Sequence, residues 1–289
     1  MSSNQLVWLI TGTSVGLGHE LTLAALQRGD KVIAITRSTS LEQTTTELAP
    51  KGASVLELDV TSPLETLAEV AKKAISIYGR VDVIVNNAGE MLVGPVEENS
   101  PEESFQQFNA NVFGGLNVAR AFLPHLRESG TGTIVLMGSI VGWKSSPTTA
   151  LYAGTKWALR GISSSLHDEI SPFGLKSICV DFGYILNKCF NPPDRKPYIS
   201  KLSYYTKLTD EYEATLQILI TTNKQPGDPI KGVNALIDIV RNEGLAKDKP
   251  FSGNVVLGSD AYRAAKSGSE KNLELLEAWK DVSVGTDRV

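Results

Sequence analysis

Leu6-Val7-Trp8-Leu9-Ile10-Thr11-Gly12-Thr13-Ser14-Val15-Gly16-Leu17-Gly18 runs from an unbroken apolar stretch straight into a glycine turn. Such a short apolar run has the character of a parallel strand buried on both faces. Residues 16–28 then carry apolar side chains at helical spacing and stop at Gly29, which suits a helix C-cap. The same rhythm recurs along the chain. Residues 31–36, 53–58, 81–86, 131–138 and 175–180 read as strands, with helices expected at 40–48, 63–78, 101–128 and 149–171 between them. Ser100-Pro101 is a helix start signal, a capping serine followed by proline at the first helical position. This alternation predicts an α/β fold: a doubly wound, Rossmann-type parallel sheet with helices on both faces, forming one domain over residues 1–289.

After residue 180 the rhythm changes. Residues 187–228 are rich in proline and tyrosine (Tyr198, Tyr204, Tyr205, Tyr212) and show no clear strand. This irregular insert follows the sixth strand, where ligands meet the carboxyl ends of a doubly wound sheet, and is read as a substrate lid. A helix at 229–240, a strand at 254–257 and a helix at 261–280 complete the series.

Composition narrows the partners. Of 289 residues, 42% are hydrophobic and 21% charged, enough for a sizeable core, and the net charge of −4 argues against nucleic acid or an anionic membrane. No apolar stretch approaches the ~20 residues of a membrane span. Residues 1–5 lack a basic segment, so the first apolar run reads as a strand rather than a signal peptide. Cys179 and Cys189 have no metal-ligand spacing, so no metal is expected, and both read as reduced thiols of a cytoplasmic protein.

Gly12, Gly16 and Gly18 let the backbone turn tightly and approach a pyrophosphate at the positive end of the following helix. At the end of the second strand an acid would accept from a ribose 2′-hydroxyl, whereas a base accommodates a 2′-phosphate. Thr36, Arg37 and Ser38 stand there, and the next acid is Glu42, which favours NADP over NAD.

Tyr-x-x-x-Lys occurs three times, as Tyr152/Lys156, Tyr184/Lys188 and Tyr262/Lys266. Topology separates them. Tyr152 and Lys156 fall one turn apart on an expected helix, and Ser139 ends the preceding strand thirteen residues earlier. Tyr184 belongs to a turn, and thirteen residues before Tyr262 stands Lys249. A free phenol holds its proton too tightly to exchange it well near neutrality, and a neighbouring ammonium favours the phenolate. Tyr152 can then exchange a proton with a carbonyl or alcohol oxygen that Ser139 orients.

With these pieces in place the chain resembles the short-chain dehydrogenase/reductases, over roughly residues 6–184, in the style of their hydroxysteroid- and retinol-dehydrogenase-like branch. The resemblance implies that Gly12, Thr13, Ser14, Gly16, Leu17 and Gly18 form the cofactor loop, and that Asp59 and Val60 meet the adenine. Asn86 and the following Asn87, Ala88 and Gly89 match the turn beside the adenine ribose. It further implies a tetrad of Asn111, Ser139, Tyr152 and Lys156, with Asn111 helping to hold a proton-relay water and Lys156 also binding the nicotinamide ribose. A homodimer through the helices at 101–128 and 149–171 is implied as well.

The chain departs from the family pattern in two places. Asp181-Phe182-Gly183-Tyr184-Ile185-Leu186-Asn187 replaces a usual Pro-Gly turn, with Asn187 where a threonine is expected near the carboxamide; Gly183, Ile185 and Asn187 are the cofactor candidates there. Gly138 stands where serine is commoner, a change expected to matter little. Met91, Val93, Val141, Trp143 and Tyr184 are the candidate substrate wall, and an apolar, aromatic cleft fits a steroid-, terpenoid- or polyketide-like ketone or alcohol. The expectation is an NADP(H)-dependent oxidoreductase. The alternatives are a non-redox reaction in the same pocket (isomerisation, cyclisation or elimination) and a non-catalytic nucleotide sensor.

Overall fold

Strand β1 (Val7–Thr11) alternates its side chains between two buried faces: Val7 and Leu9 enter one core, Trp8 and Ile10 the other. A strand buried on both sides needs partners on both edges. In the computed structural model, which describes residues 5–185, 197–222 and 225–288, β2 (Lys31–Thr36) and β4 (Val83–Asn86) supply them. With β3 (Ser54–Glu57), β5 (Gly132–Ser139), β6 (Leu175–Phe182) and β7 (Asn254–Leu257) they form a seven-stranded sheet, parallel throughout, in the order β3-β2-β1-β4-β5-β6-β7. The order reverses beside β1, so a crevice opens at the carboxyl ends of β1 and β4.

One face of the sheet packs on α3 (Leu64–Tyr78), α5 (Gly115–Ser129) and α6 (Ala150–Ile170), through Leu67, Phe122, Leu126 and Leu159 among others. The other packs on α1 (Gly16–Gln27) and α8 (Pro229–Arg241), through Leu21, Ala25, Val233, Leu236 and Ile237. Helix α2 (Leu41–Leu48) closes the β2–β3 edge with Leu48. Burial on this scale is the main stabilising term. No described helix is long and apolar enough to cross a membrane, and no cluster of metal-ligating side chains occurs among the described residues.

Three local features differ from the sequence reading. The helix expected over 101–128 is broken: α4 (Pro101–Phe108) passes through a π-helical turn at Asn109–Gly114 before α5 begins. Its start is as expected, a capping box in which Ser100 Oγ accepts from the Glu103 N–H and Glu103 accepts from the Ser100 N–H. The stretch expected to be irregular contains α7 (Thr206–Thr222), a helix of 17 residues. Its five threonines are mediocre helix formers and prolines flank it, so tertiary packing on the cavity wins over propensity. β6 also runs two residues further than expected, ending at Phe182. Helices α9 (Ser259–Ala278) and α10 (Lys280–Val284) follow β7.

Candidate active site

The glycine loop is drawn tight by close approaches. Gly12 and Gly16 have positive φ, at 70° and 67°. A Cβ on Gly12 would stand 2.9 Å from Ala88 Cα, and one on Gly18 would stand 2.3 Å from the Gly12 carbonyl oxygen. Asn87 stitches this loop to the end of β4: its Nδ2 donates to the carbonyls of Thr11 (2.8 Å) and Gly12 (2.9 Å). Thr11 Oγ1 in turn accepts from the N–H groups of Asn87 and Ala88. Val15, the N-cap of α1, offers no side-chain acceptor, so the first N–H groups of this helix face the crevice without a cap. A cradle closed to side chains and edged by free N–H groups fits a pyrophosphate.

From that cradle a cavity of about 840 Å³ runs to the end of β5 and the start of α6. Of the cofactor candidates, Gly12, Ser14, Gly16, Leu17, Arg37, Asp59, Val60, Asn87, Ala88, Gly89, Gly183 and Ile185 line it. Thr13 and Gly18 do not. Thr13 is buried with its hydroxyl on the Ile35 carbonyl, and Gly18 packs beneath the loop. Ser38 is exposed and off the wall, and Ser40 takes its place. Asn187, like Cys189, lies outside the described residues. Asp59 accepts from the Thr61 N–H and hydroxyl; burial acts to raise its carboxyl, but these bonds and the Arg37 charge hold it below the usual range.

Ser139, Tyr152, Lys156 and Asn111 all line the far end. Lys156, buried, donates to the Met137 carbonyl at 2.7 Å, and its Nζ lies 5.4 Å from the centre of the Tyr152 ring. Ser139 Oγ accepts from the Val141 N–H. Asn111 sits in the π-helical turn, whose widened backbone turns its amide toward the carboxyl end of β4. There Asn111 Oδ1 accepts from the Glu90 N–H and Nδ2 donates to the Glu90 carbonyl, each at 2.8 Å. Asn111 Nδ2 also reaches Thr155 Oγ1 on α6 at 3.3 Å, which joins the turn to the helix that carries Tyr152 and Lys156. The helix entry is strained: Thr148 has φ of 67° and is held by the Gly94 N–H on its carbonyl.

Met91, Val93, Val141 and Tyr184 face the cavity as expected. Trp143 does not. Its indole N–H donates to Asp181 at 2.7 Å, turning the ring into the protein. Sequence reasoning missed Tyr212, Leu216 and Leu219, which α7 lays on the same wall. Their spacing of four and three residues was the available signal. Gly138 also matters more than expected, because a Cβ there would stand 1.8 Å from Asp181 Oδ1. Cys179 is buried and unpaired, and burial pushes its thiol well above the ordinary range.

A family model described as short chain dehydrogenase matches residues 6–195. The chain belongs to the short-chain dehydrogenase family. It is 29% identical over 282 residues to the oxidoreductase BOA17 of Botryotinia fuckeliana, a match spanning 97% of this chain and 98% of the relative. Among solved structures, a short-chain dehydrogenase from Streptomyces avermitilis superposes with a TM-score of 0.84 at 33% identity, over 99% of this chain and 100% of that one. An alcohol dehydrogenase from the archaeon Thermococcus sibiricus, complexed with 5-hydroxy-NADP, gives a TM-score of 0.67 at 26% identity over 88% and 97%. The chain is thus an oxidoreductase of short-chain dehydrogenase type.

Proposed function

We propose that the protein is an NADP(H)-dependent oxidoreductase that interconverts a carbonyl and an alcohol on a bulky hydrophobic substrate. One observation carries the reading: a single cavity joins the glycine cradle to Tyr152, Ser139 and Lys156. The cradle would hold the pyrophosphate through Ser14, Gly16 and Leu17, with Asp59, Val60, Asn87, Ala88 and Gly89 toward the adenosine. Arg37 gives a 2′-phosphate a cation, and the archaeal relative complexed with an NADP derivative supports that choice. Gly183 and Ile185, and Asn187 beyond the described residues, are the candidates near the carboxamide.

Bound NADPH supplies a hydride to the carbonyl carbon. Tyr152 gives the oxygen its proton in reduction and takes it back in oxidation. Ser139 donates to the same oxygen and orients it. Lys156 lies beside the phenol, its Nζ 5.4 Å from the ring centre, and the phenol's proton would be replaced by way of the site that Asn111 borders. The substrate end is walled by Met91, Val93, Val141, Tyr184, Tyr212, Leu216 and Leu219, which supports a steroid-, terpenoid- or polyketide-like substrate. We further propose that residues 187–228, α7 among them, act as the lid over this end. The working form would be a cytoplasmic homodimer.

The test is titration with NADPH and NADH by nicotinamide fluorescence, followed by hydrophobic ketones and NADPH consumption. Tyr152→Phe is expected to lower turnover by about 10²–10⁴-fold while NADPH binding is kept. Undiminished turnover in that variant would overturn the reading.

A further inference from the structure

Asp181 is a fully buried carboxylate that the reaction above does not use. It sits on β6 directly opposite Gly138 of β5, one residue before the catalytic Ser139. Four elements meet on it. Its Oδ1 accepts from the Ser139 N–H at 3.0 Å. Its Oδ2 accepts from Trp143 Nε1 at 2.7 Å, in the turn after Ser139, and from Asn254 Nδ2 of β7 at 2.9 Å. Arg160 of α6, one turn beyond Lys156, brings Nε to 3.7 Å from Oδ2.

The arginine completes a frame. Its guanidinium carbon lies 3.4 Å from the centre of the Trp143 ring, and the same group donates to the Gly142 carbonyl. Trp143 is therefore gripped at its edge by the carboxylate and on its face by the cation. On the other side of Gly138, the Met137 carbonyl receives the Lys156 ammonium at 2.7 Å. Residues 137–143 thus hold one catalytic group and carry another, and the fixed point of that segment is Asp181. Burial pushes its carboxyl above the usual range against its donors and Arg160, a cost that a merely apolar filling would avoid.

We propose that Asp181 is a positioning residue for the reaction: by tying the end of β5, the turn at 140–143, α6 and β7 together it sets Ser139 against Tyr152 and Lys156, and Gly138 is the complement that leaves it room. The second half follows from geometry: a Cβ at position 138 would stand 1.8 Å from Asp181 Oδ1, and no rotation of a serine side chain relieves that. The proposal rests on the redox reading of the site.

Variants at Asp181, Gly138, Trp143 and Tyr152 test it. Asp181→Asn keeps the shape and turns one acceptor into a donor facing donors. It is expected to lower kcat about 10–100-fold while the Kd for NADPH and the KM for the ketone stay within about two-fold, a split that general loss of structure would not give. Gly138→Ser is expected to lower kcat similarly in the wild-type background, but to cost much less when added to Asp181→Ala, where the carboxylate is gone and only Cys179 Sγ, 2.8 Å from the new Cβ, has to give. Should Asp181→Asn not fold, Trp143→Phe removes one bond from the same carboxylate and is expected to lower kcat several-fold. Wild-type kcat in Asp181→Asn, or multiplicative losses in the Gly138/Asp181 double variant, would overturn the proposal. Tyr152→Phe, run alongside, separates the two failures. If it is silent while Asp181→Asn works normally, the positioning role falls and the redox reading stands. If Tyr152→Phe turns over normally, both fall.

Discussion

At the scale of single residues, the proposed preference for NADP rests on Arg37. It lines the cradle end of the cavity with Ser40, where its charge acts on the Asp59 carboxyl. A charge-assisted bond contributes about 1.5–3 kcal/mol, roughly ten- to a hundred-fold in affinity. Arg37→Ala should therefore weaken NADPH binding by about that factor and leave NADH binding unchanged, measured by fluorescence titration. Equal weakening of both would remove Arg37 from 2′-phosphate recognition. Arg37, Ser139, Tyr152 and Lys156 were legible in the sequence because each sits at a fixed offset from the end of a strand or along one helix face, and chain spacing reports such offsets. Trp143 and Asp181 were not. The direction of Trp143 depends on a partner 38 residues away, and a buried carboxylate leaves no period in the sequence. Gly138 looked neutral for the same reason, since its neighbour is across the sheet rather than along the chain.

At the scale of elements, the segment leading into α7 is held by a clasp that no motif announces. Glu98, only 6% exposed, lies in the connection between β4 and α4. It accepts from the Tyr198 hydroxyl (2.7 Å), the Ser200 hydroxyl (2.6 Å) and the Leu202 N–H (2.6 Å), while its carbonyl accepts from Lys201. These bonds fix the segment that leads into α7, and with it Tyr212, Leu216 and Leu219. Burial acts to raise the Glu98 carboxyl, but the bonds from Ser200, Tyr198 and Leu202 outweigh it and hold the group below its ordinary 4.5. A carboxyl lowered in the folded state stabilises it above 4.5 and loses that contribution as the pH falls through the folded value. The clasp should thus stay closed from pH 7 to 5 and open only in stronger acid. Glu98→Gln should open it at pH 7, seen as protease cleavage within 197–205. The ketone KM should rise several-fold, with kcat and NADPH affinity unchanged. An equally protected Glu98→Gln segment would show that α7 is held by other contacts. The helix itself escaped the sequence reading because its stability comes from this anchoring and from the cavity wall, both tertiary. The seven strands, by contrast, each carried a local apolar run.

At the scale of the whole molecule, the layer formed by α5 and α6 presents an apolar face. Between α5 and α6 runs an apolar groove of Leu116, Ala119, Leu123, Ile162 and Leu166, with Arg120 and Glu169 at its borders. Phe105, Phe113 and Trp157 on the same helical layer are 62%, 45% and 46% exposed, far more apolar surface than isolated surface residues need. Arg120 and Glu169 give the groove's borders opposite charges, the self-complementary pattern that an isologous interface uses. Because α6 carries Tyr152, Lys156 and Arg160, covering this face would also stiffen the helix that orients the reaction. The protein should therefore behave as a dimer in light scattering at micromolar concentration, with a Tm that rises with protein concentration. Leu123→Glu places a charge in the groove and should give a monomer, since an unpaired buried charge costs more than one leucine contact contributes. If Leu123→Glu stays dimeric, copies meet through another surface. If the wild-type protein is already a monomer with full turnover, that layer stands on its own packing, and the frame around Asp181 is what keeps α6 in register with β5.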